Sequence, residues 1–266
     1  MGYVNSELWR IQKPINVFFF DWDNTLSLLE GIDFLASLNG VVEQVHEITQ
    51  RCMSTTGFTE GDYKKRLDLV KPTKKQIMQL AEQYHIQCAP GAREVIRLLK
   101  SLGKKIYIIS AGIKSSILPL AEELGIHQDN ILAVDVYFNA EGKYQGFNEQ
   151  SDLAKPKGKA MQIDKIIDAN QRSLLLGDGF TDWEAKTSVT RFVGCAGSNP
   201  KKWVKKNSDF YIEHTSLLSV LALGLTEQEQ EVLSEEYQAF YRQGLVDIQE
   251  GRVLIKEHNN VYHTNS

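Results

Sequence analysis

The chain has 266 residues, 42% of them hydrophobic and 24% charged, with a formal net charge of −4 at pH 7. That is ordinary globular composition, long enough for one large α/β domain or for a core with a smaller inserted or appended unit. The weakly acidic balance excludes the basic footprint of a nucleic-acid binder and a polybasic attraction to an acidic membrane surface.

Cys52, Cys88 and Cys195 lie far apart with no CxxC spacing. That pattern fits reduced thiols in a cytoplasmic protein better than a disulfide framework. The apolar run Val17–Phe20 is too short for a secretory signal, and Leu217–Leu225 is too short to span a bilayer.

In chain order, Ile15–Phe20 is apolar, β-branched and aromatic apart from Asn16, which predicts a buried parallel strand. From Leu28 to about Gln87 the apolar residues Ile32, Leu35, Val41, Val45 and Ile48 recur at helical spacing, with breaks at Asn39-Gly40 and Thr55-Thr56-Gly57. This stretch reads as a helical insert. An α/β rhythm follows: a helix over 92–102, a strand over 105–110, a helix over 115–124, and a hairpin of 131–138 with 143–147. It continues with a helix over 159–169, a strand over 173–176, a helix over 182–188, and short strands at 191–193 and 210–212. Strands alternating with helices predict a parallel sheet covered on both faces. After Gly224, Thr226 and Glu229 form a capping box. One helix carrying Leu233, Tyr237, Phe240 and Tyr241 on a single stripe is expected there, then a small hairpin of 245–248 with 252–255. The expected organisation is a Rossmann-like core of residues 1–27 and 88–224, a helical cap of 28–87 and a C-terminal extension of 225–266. The extension is expected to pack on its own core, with a homodimer surface as the alternative.

In an open α/β sheet, ligands bind beyond the carboxyl ends of the strands. The first strand delivers Asp21, Asp23 and Thr25 there, the second Ser110-Ala111-Gly112, and the third Gly177-Asp178-Gly179-Phe180-Thr181-Asp182. The basic run Lys155-Pro156-Lys157-Gly158-Lys159 precedes the helix before that third strand. Each segment alone is weak: Asp-x-Asp after a strand is usually a turn or a helix cap, and a lysine-rich run is usually solvated. Together they place four carboxylates on one rim, and charges taken out of water cost several kcal/mol each unless paired. A hard cation with oxygen ligands resolves the conflict, and Mg²⁺ fits. Ser110, the amides around Ala111-Gly112, and Lys157 suit a phosphate. The combination describes phosphoryl transfer to a carboxylate.

These segments resemble those of the haloacid-dehalogenase-like phosphatases and, among them, the phosphoserine phosphatases. The resemblance runs from about Val17 to Leu221. It implies that Asp21 is the nucleophile and a metal ligand. Asp23 would be the acid–base partner, with its carbonyl on the metal, and Asp178 a further ligand. Asp182 would hold metal-bound water or orient Lys157, with the choice between Lys157 and Lys159 open. Ser110, Ala111, Gly112 and Thr181 would surround phosphate. Glu30 and Arg66 stand where that family meets a substrate ammonium and carboxylate, although singly each reads as a helix-start residue and a solvated helix face. Phe58 would cover the substrate. The implied partner is a small phosphorylated metabolite, an amino-acid phosphate first. A homoserine or thiosugar phosphate is the second reading, and a catalytically silent binding module the third. Trp22, Asn24 and Ala111 depart from the family pattern, and Phe58 lies eight rather than seven residues before Arg66.

Overall fold

The computed structural model describes residues 9–52, 59 and 61–256. Among the described residues, strand β1 (Val17–Phe20) is followed by helices α1 (Gly31–Asn39), α2 (Val42–Cys52), α3 (Asp62–Val70) and α4 (Lys74–Ile86). Next come α5 (Ala92–Ser101), β2 (Lys105–Ile113), α6 (Lys114–Glu123), β3 (Ile131–Val134), β4 (Val136–Phe138) and β5 (Tyr144–Phe147). The chain continues through α7 (Gly158–Ile166), β6 (Ser173–Gly177), α8 (Phe180–Glu184), β7 (Arg191–Cys195), α9 (Lys202–Asn207) and β8 (Phe210–Ile212). It ends with α10 (Ser219–Gly224), α11 (Glu227–Glu231), α12 (Glu235–Gln249) and β9 (Val253–Ile255).

Among the described residues, seven strands form one sheet in the order β3-β2-β1-β6-β7-β8-β9, parallel except where β9 runs antiparallel to β8. All four residues of β1 are buried, as a central strand covered on both faces requires. Its neighbours pair in register, Phe20 with Ile108 of β2 and with Leu176 of β6. The Asp21 amide then donates to the Leu176 carbonyl at 2.9 Å. The carboxyl ends of β2, β1 and β6 are thereby side by side.

Between β1 and α5 the described elements of the insert are helices, and α1 packs on α2, α3 and α4. A capping box between Thr73 and Gln76 starts α4, and α4 also packs on α6 of the core.

Four details differ from the sequence expectation. Residues 131–138 split at Asp135, so that β3 joins the main sheet and only β4 pairs with β5. The turn after β6 is helical from Phe180 but tightens to a 3₁₀ turn over Ala185–Ser188. The expected single C-terminal helix is two: the Thr226–Glu229 capping box is present, but α11 stops at Glu231 and Ser234 caps α12. The expected hairpin of 245–248 with 252–255 is corrected as well. Residues 245–249 are the last turns of α12, and β9 pairs with β8 at the sheet edge. Asp247 explains this, because its buried carboxylate is held by Arg252 and Ser219 and so turns the chain back to the core. The tail packs on α10 and α5, with Leu233 and Tyr241 buried.

Candidate active site

One cavity at the carboxyl rim is lined by Asp21, Asp23, Ser110, Ala111, Gly112, Lys159, Asp178, Thr181 and Asp182 from the core side. Glu30, Tyr63, Arg66 and Tyr84 line it from the helical side. Residues separated by more than 150 positions in sequence meet because parallel strands deliver their carboxyl ends to one edge.

The turn after β1 carries Asp21 and Asp23. Asp21 is 6% exposed and pairs with the Lys159 ammonium at 2.7 Å. Asp23 Oδ1 accepts from the Tyr84 hydroxyl at 2.6 Å and from the Gly31 amide at 2.8 Å. Burial pushes the Asp23 carboxyl up to about 7, with the Asp21 charge adding to it, although the Tyr84 and Gly31 hydrogen bonds pull the other way. Asn24 adopts φ 55°, a left-handed conformation that asparagine tolerates better than most residues. Its side chain donates to Glu30 Oε2 at 2.9 Å and accepts from the Ser198 hydroxyl.

The turn after β6 carries Asp178 and Asp182, both buried. Asp182 Oδ2 accepts from the Gly179 amide at 3.1 Å, and Oδ1 from Lys159 at 2.6 Å. Burial, then the Asp21 charge, pushes Asp182 up to about 8 despite Lys159. Asp178 is pushed up to about 6 by burial despite an ion pair with Lys201 at 3.0 Å. Burial alone would lower Lys159, but Asp182 and Asp21 outweigh it and hold the ammonium above its usual range.

The expectation on Lys157 is corrected. Lys157 is exposed and stands at the N-cap of α7 with φ 58°, its backbone amide on the Glu184 carboxylate. Lys159, two residues on and inside the first turn of the helix, is 5% exposed and reaches the rim. Asp182 accordingly faces Lys159.

Ser110 is buried, and its hydroxyl accepts from the Gly112 amide at 2.9 Å. Arg66, 6% exposed, reaches Thr49 at 3.4 Å and lies over the Tyr63 ring at 5.8 Å, so it is no solvated helix face. The Glu30 carboxyl is raised well above its usual range by burial, then by Asp23 and Asp178. Phe58 lies outside the described residues.

Lys201 and Tyr84 do not stand out in the sequence. Lys201 follows β7, a fourth strand whose carboxyl end reaches the same rim, so asking what that strand delivers would have pointed to it. Tyr84 reads as one more apolar position of an amphipathic helix, and no sequence signal separates it from core.

The donor set suits a hard divalent cation. Carboxylate oxygens of Asp21, Asp178 and Asp182 all lie within 4.8 Å of one another. Across the rim, Asp21, Asp23, Glu30, Asp178 and Asp182 outnumber Lys159, Lys201 and Arg66. The raised Asp178 and Asp182 carboxyls register that excess, and an oxygen-seeking cation would relieve it.

Residues 15–185 match the family model of the haloacid dehalogenase-like hydrolases. The chain is 31% identical over 210 residues to the phosphoserine phosphatase of Homo sapiens, an alignment covering 78% of this chain and 93% of that protein. It is 27% identical over 216 residues to the phosphoserine phosphatase of Methanocaldococcus jannaschii, covering 79% and 98%. Among solved structures it resembles a phosphoserine phosphohydrolase-like protein of Francisella tularensis, with TM-score 0.67, 25% identity and coverage of 74% and 94%. It also resembles a substrate-bound phosphoserine phosphatase, with TM-score 0.65, 26% identity and coverage of 79% and 98%. No helix among the described residues is long and apolar enough to cross a membrane.

Proposed function

The chain belongs to the haloacid dehalogenase-like hydrolases, and from that premise we propose that it is a magnesium-dependent phosphomonoester hydrolase acting on L-phosphoserine. The observation that carries the reading is the meeting, in one cavity, of the Asp21–Asp23 pair, the Lys159–Asp178–Asp182 cluster and the Glu30–Arg66 pair.

Asp21 attacks phosphorus through a carboxylate oxygen, and the ester P–O bond breaks to leave an aspartyl-phosphate. Asp23 gives its proton to the departing seryl oxygen. A carboxyl pushed up to about 7 holds that proton in about half of the molecules at neutral pH. Asp23 then takes a proton from a water that attacks phosphorus; the bond to Asp21 breaks and phosphate leaves. Lys159 holds Asp21 in place and offsets negative charge, while Ser110 and Gly112 donate to phosphate oxygens. Thr181 adds a polar contact. Asp21, Asp178 and the Asp23 carbonyl would hold a magnesium ion, with Asp182 on metal-bound water, and the ion would supply charge compensation for the phosphate dianion.

Glu30 meets the substrate ammonium, which restores charge to its raised carboxyl, and Arg66 meets the substrate carboxylate as a planar fork. Residues 28–87 act as the cap that excludes water during transfer, over a core of 1–27 and 88–224. The scattered cysteines support a cytoplasmic location. The tail buries Leu233 and Tyr241 on its own core and leaves Tyr237 and Phe240 half-buried, which supports packing on its own core over a homodimer surface.

Steady-state turnover with Mg²⁺ across phosphoserine, phosphothreonine, sugar phosphates and nucleotides tests the substrate. We expect kcat/KM to be highest for phosphoserine. Preference for another small phosphorylated metabolite over phosphoserine would replace it with the second reading, and inactivity on the whole panel would leave the silent module.

A further inference from the structure

The two oxygens of the Asp23 carboxylate have unlike surroundings. Oδ1 takes two donors, the Tyr84 hydroxyl at 2.6 Å and the Gly31 amide at 2.8 Å. Oδ2 borders the Ser110–Gly112 corner: a β-carbon at Gly112 would lie 2.9 Å from Asp23 Oδ2 and 3.0 Å from Ser110 Oγ. Oδ1 thus takes both donors, and Oδ2 is the oxygen on the side where phosphate oxygens would bind.

Three elements converge to make that asymmetry. Tyr84 comes from α4 and is fully buried. Its ring meets Trp22 edge-on, with centroids 5.5 Å apart and planes at 87°. Trp22 is itself fully buried and stands between Asp21 and Asp23 in the chain. Gly31 opens α1, and a β-carbon there would lie 2.0 Å from the Tyr84 hydroxyl. Glycine at this position is what lets the phenol reach Asp23.

We propose that Tyr84 is a positioning residue: with the Gly31 amide it occupies Asp23 Oδ1, so that Oδ2 is aimed at the leaving-group oxygen of the phosphoester. The proposal rests on the reading of Asp23 as the acid–base group. Trp22, bulky for its place beside the nucleophile, becomes the wall that fixes the ring. The acid of the core is then oriented by a helix of the inserted segment.

Tyr84→Phe removes the hydroxyl and keeps the ring. The readout is kcat/KM, which reports steps up to formation of the aspartyl-phosphate, for phosphoserine and for p-nitrophenyl phosphate. The alkyl oxygen needs a proton to leave, whereas the nitrophenolate does not. The ratio of alkyl to aryl kcat/KM is expected to fall about tenfold, a fraction of what a full general acid contributes. An equal loss on both substrates would mean that the hydroxyl only supports structure, and an unchanged pair of values would mean that it does nothing; either overturns the proposal. Should Tyr84→Phe not fold, Gly31→Ala displaces the same hydroxyl, and an unchanged ratio there overturns it equally. Unaltered protein that hydrolyses p-nitrophenyl phosphate but no alkyl phosphate would sink the substrate reading and this proposal together. Normal turnover of phosphoserine with an unmoved ratio in the variant would sink this proposal alone.

Discussion

At the tail, Asp247 is 3% exposed, yet its carboxylate accepts two bonds from Arg252, at 2.7 and 3.1 Å, and one from Ser219 at 2.8 Å, with His214 at 3.3 Å. At the rim, Asp21, Asp178 and Asp182 are as deeply buried and share two lysines, and Asp23 and Glu30 crowd beside them. The same side chain is a finished lock in one place and surplus charge in the other. A buried carboxylate with enough donors stabilises a fold, while a cluster with too few is held at a cost. On the proposed function that cost is tolerated at the rim because a cation and a phosphate would relieve it, and the tail shows that the fold can satisfy a buried carboxylate where it only needs structure.

Substitutions should separate the two regions. Asp21→Asn is expected to cut turnover by about 10³-fold or more, as loss of a covalent nucleophile does, while leaving the melting temperature unchanged or raised, since one repelling charge is gone. Phosphate release and calorimetry on the same preparation check both halves. Asp247→Ala is expected to do the reverse. It should cost about 2 to 3 kcal/mol of stability by stranding Ser219 and Arg252, less than a fully buried pair because Arg252 is half exposed, with kcat per folded molecule kept. Denaturant melts measure the stability.

The rim should also respond to pH with a definite sign. Asp178 and Asp182 lie at about 6 and about 8, above their ordinary 3.8. Their raised values favour the fold most when protonated, and that contribution is lost as pH rises from 3.8 through 8. In chelator, the melting temperature is expected to fall between about pH 5 and about pH 8, and Mg²⁺ is expected to restore it more at the higher pH. A magnesium effect of equal size at both ends would mean that the carboxylates are not its site. The smallest expected effect is at Lys157, where Ala should change stability by about 0.5 kcal/mol or less and activity little, because the side chain is exposed.

The architecture was legible because buried parallel strands are written as apolar runs: Phe210–Ile212 stands where the pattern puts it, and Val17–Phe20 lies within the expected strand of 15–20. The rim was legible because each strand hands over its carboxyl end in sequence order. Lys157 and Lys159 were harder to separate. A run of charges carries no mark of where a helix begins, and the start of α7 at Gly158 decides which lysine turns inward. Lys201 stayed hidden because its loop follows a strand with no signature beyond it. Tyr84 stayed hidden because a hydroxyl that completes a polar site looks, in one sequence, like the apolar face of its helix. At the tail, the period of 245–248 was short enough to read as strand or helix, and only the Asp247–Arg252 contact settles it.

In the proposed reaction Asp21 forms a covalent bond to phosphorus. Rapid acid quench after mixing the protein with Mg²⁺ and ³²P-labelled phosphoserine tests it directly. Acid-stable, hydroxylamine-labile label on the peptide carrying Asp21, absent from Asp21→Asn, is the predicted result. Turnover of phosphoserine with no protein-bound label, or with label on another residue, would contradict it.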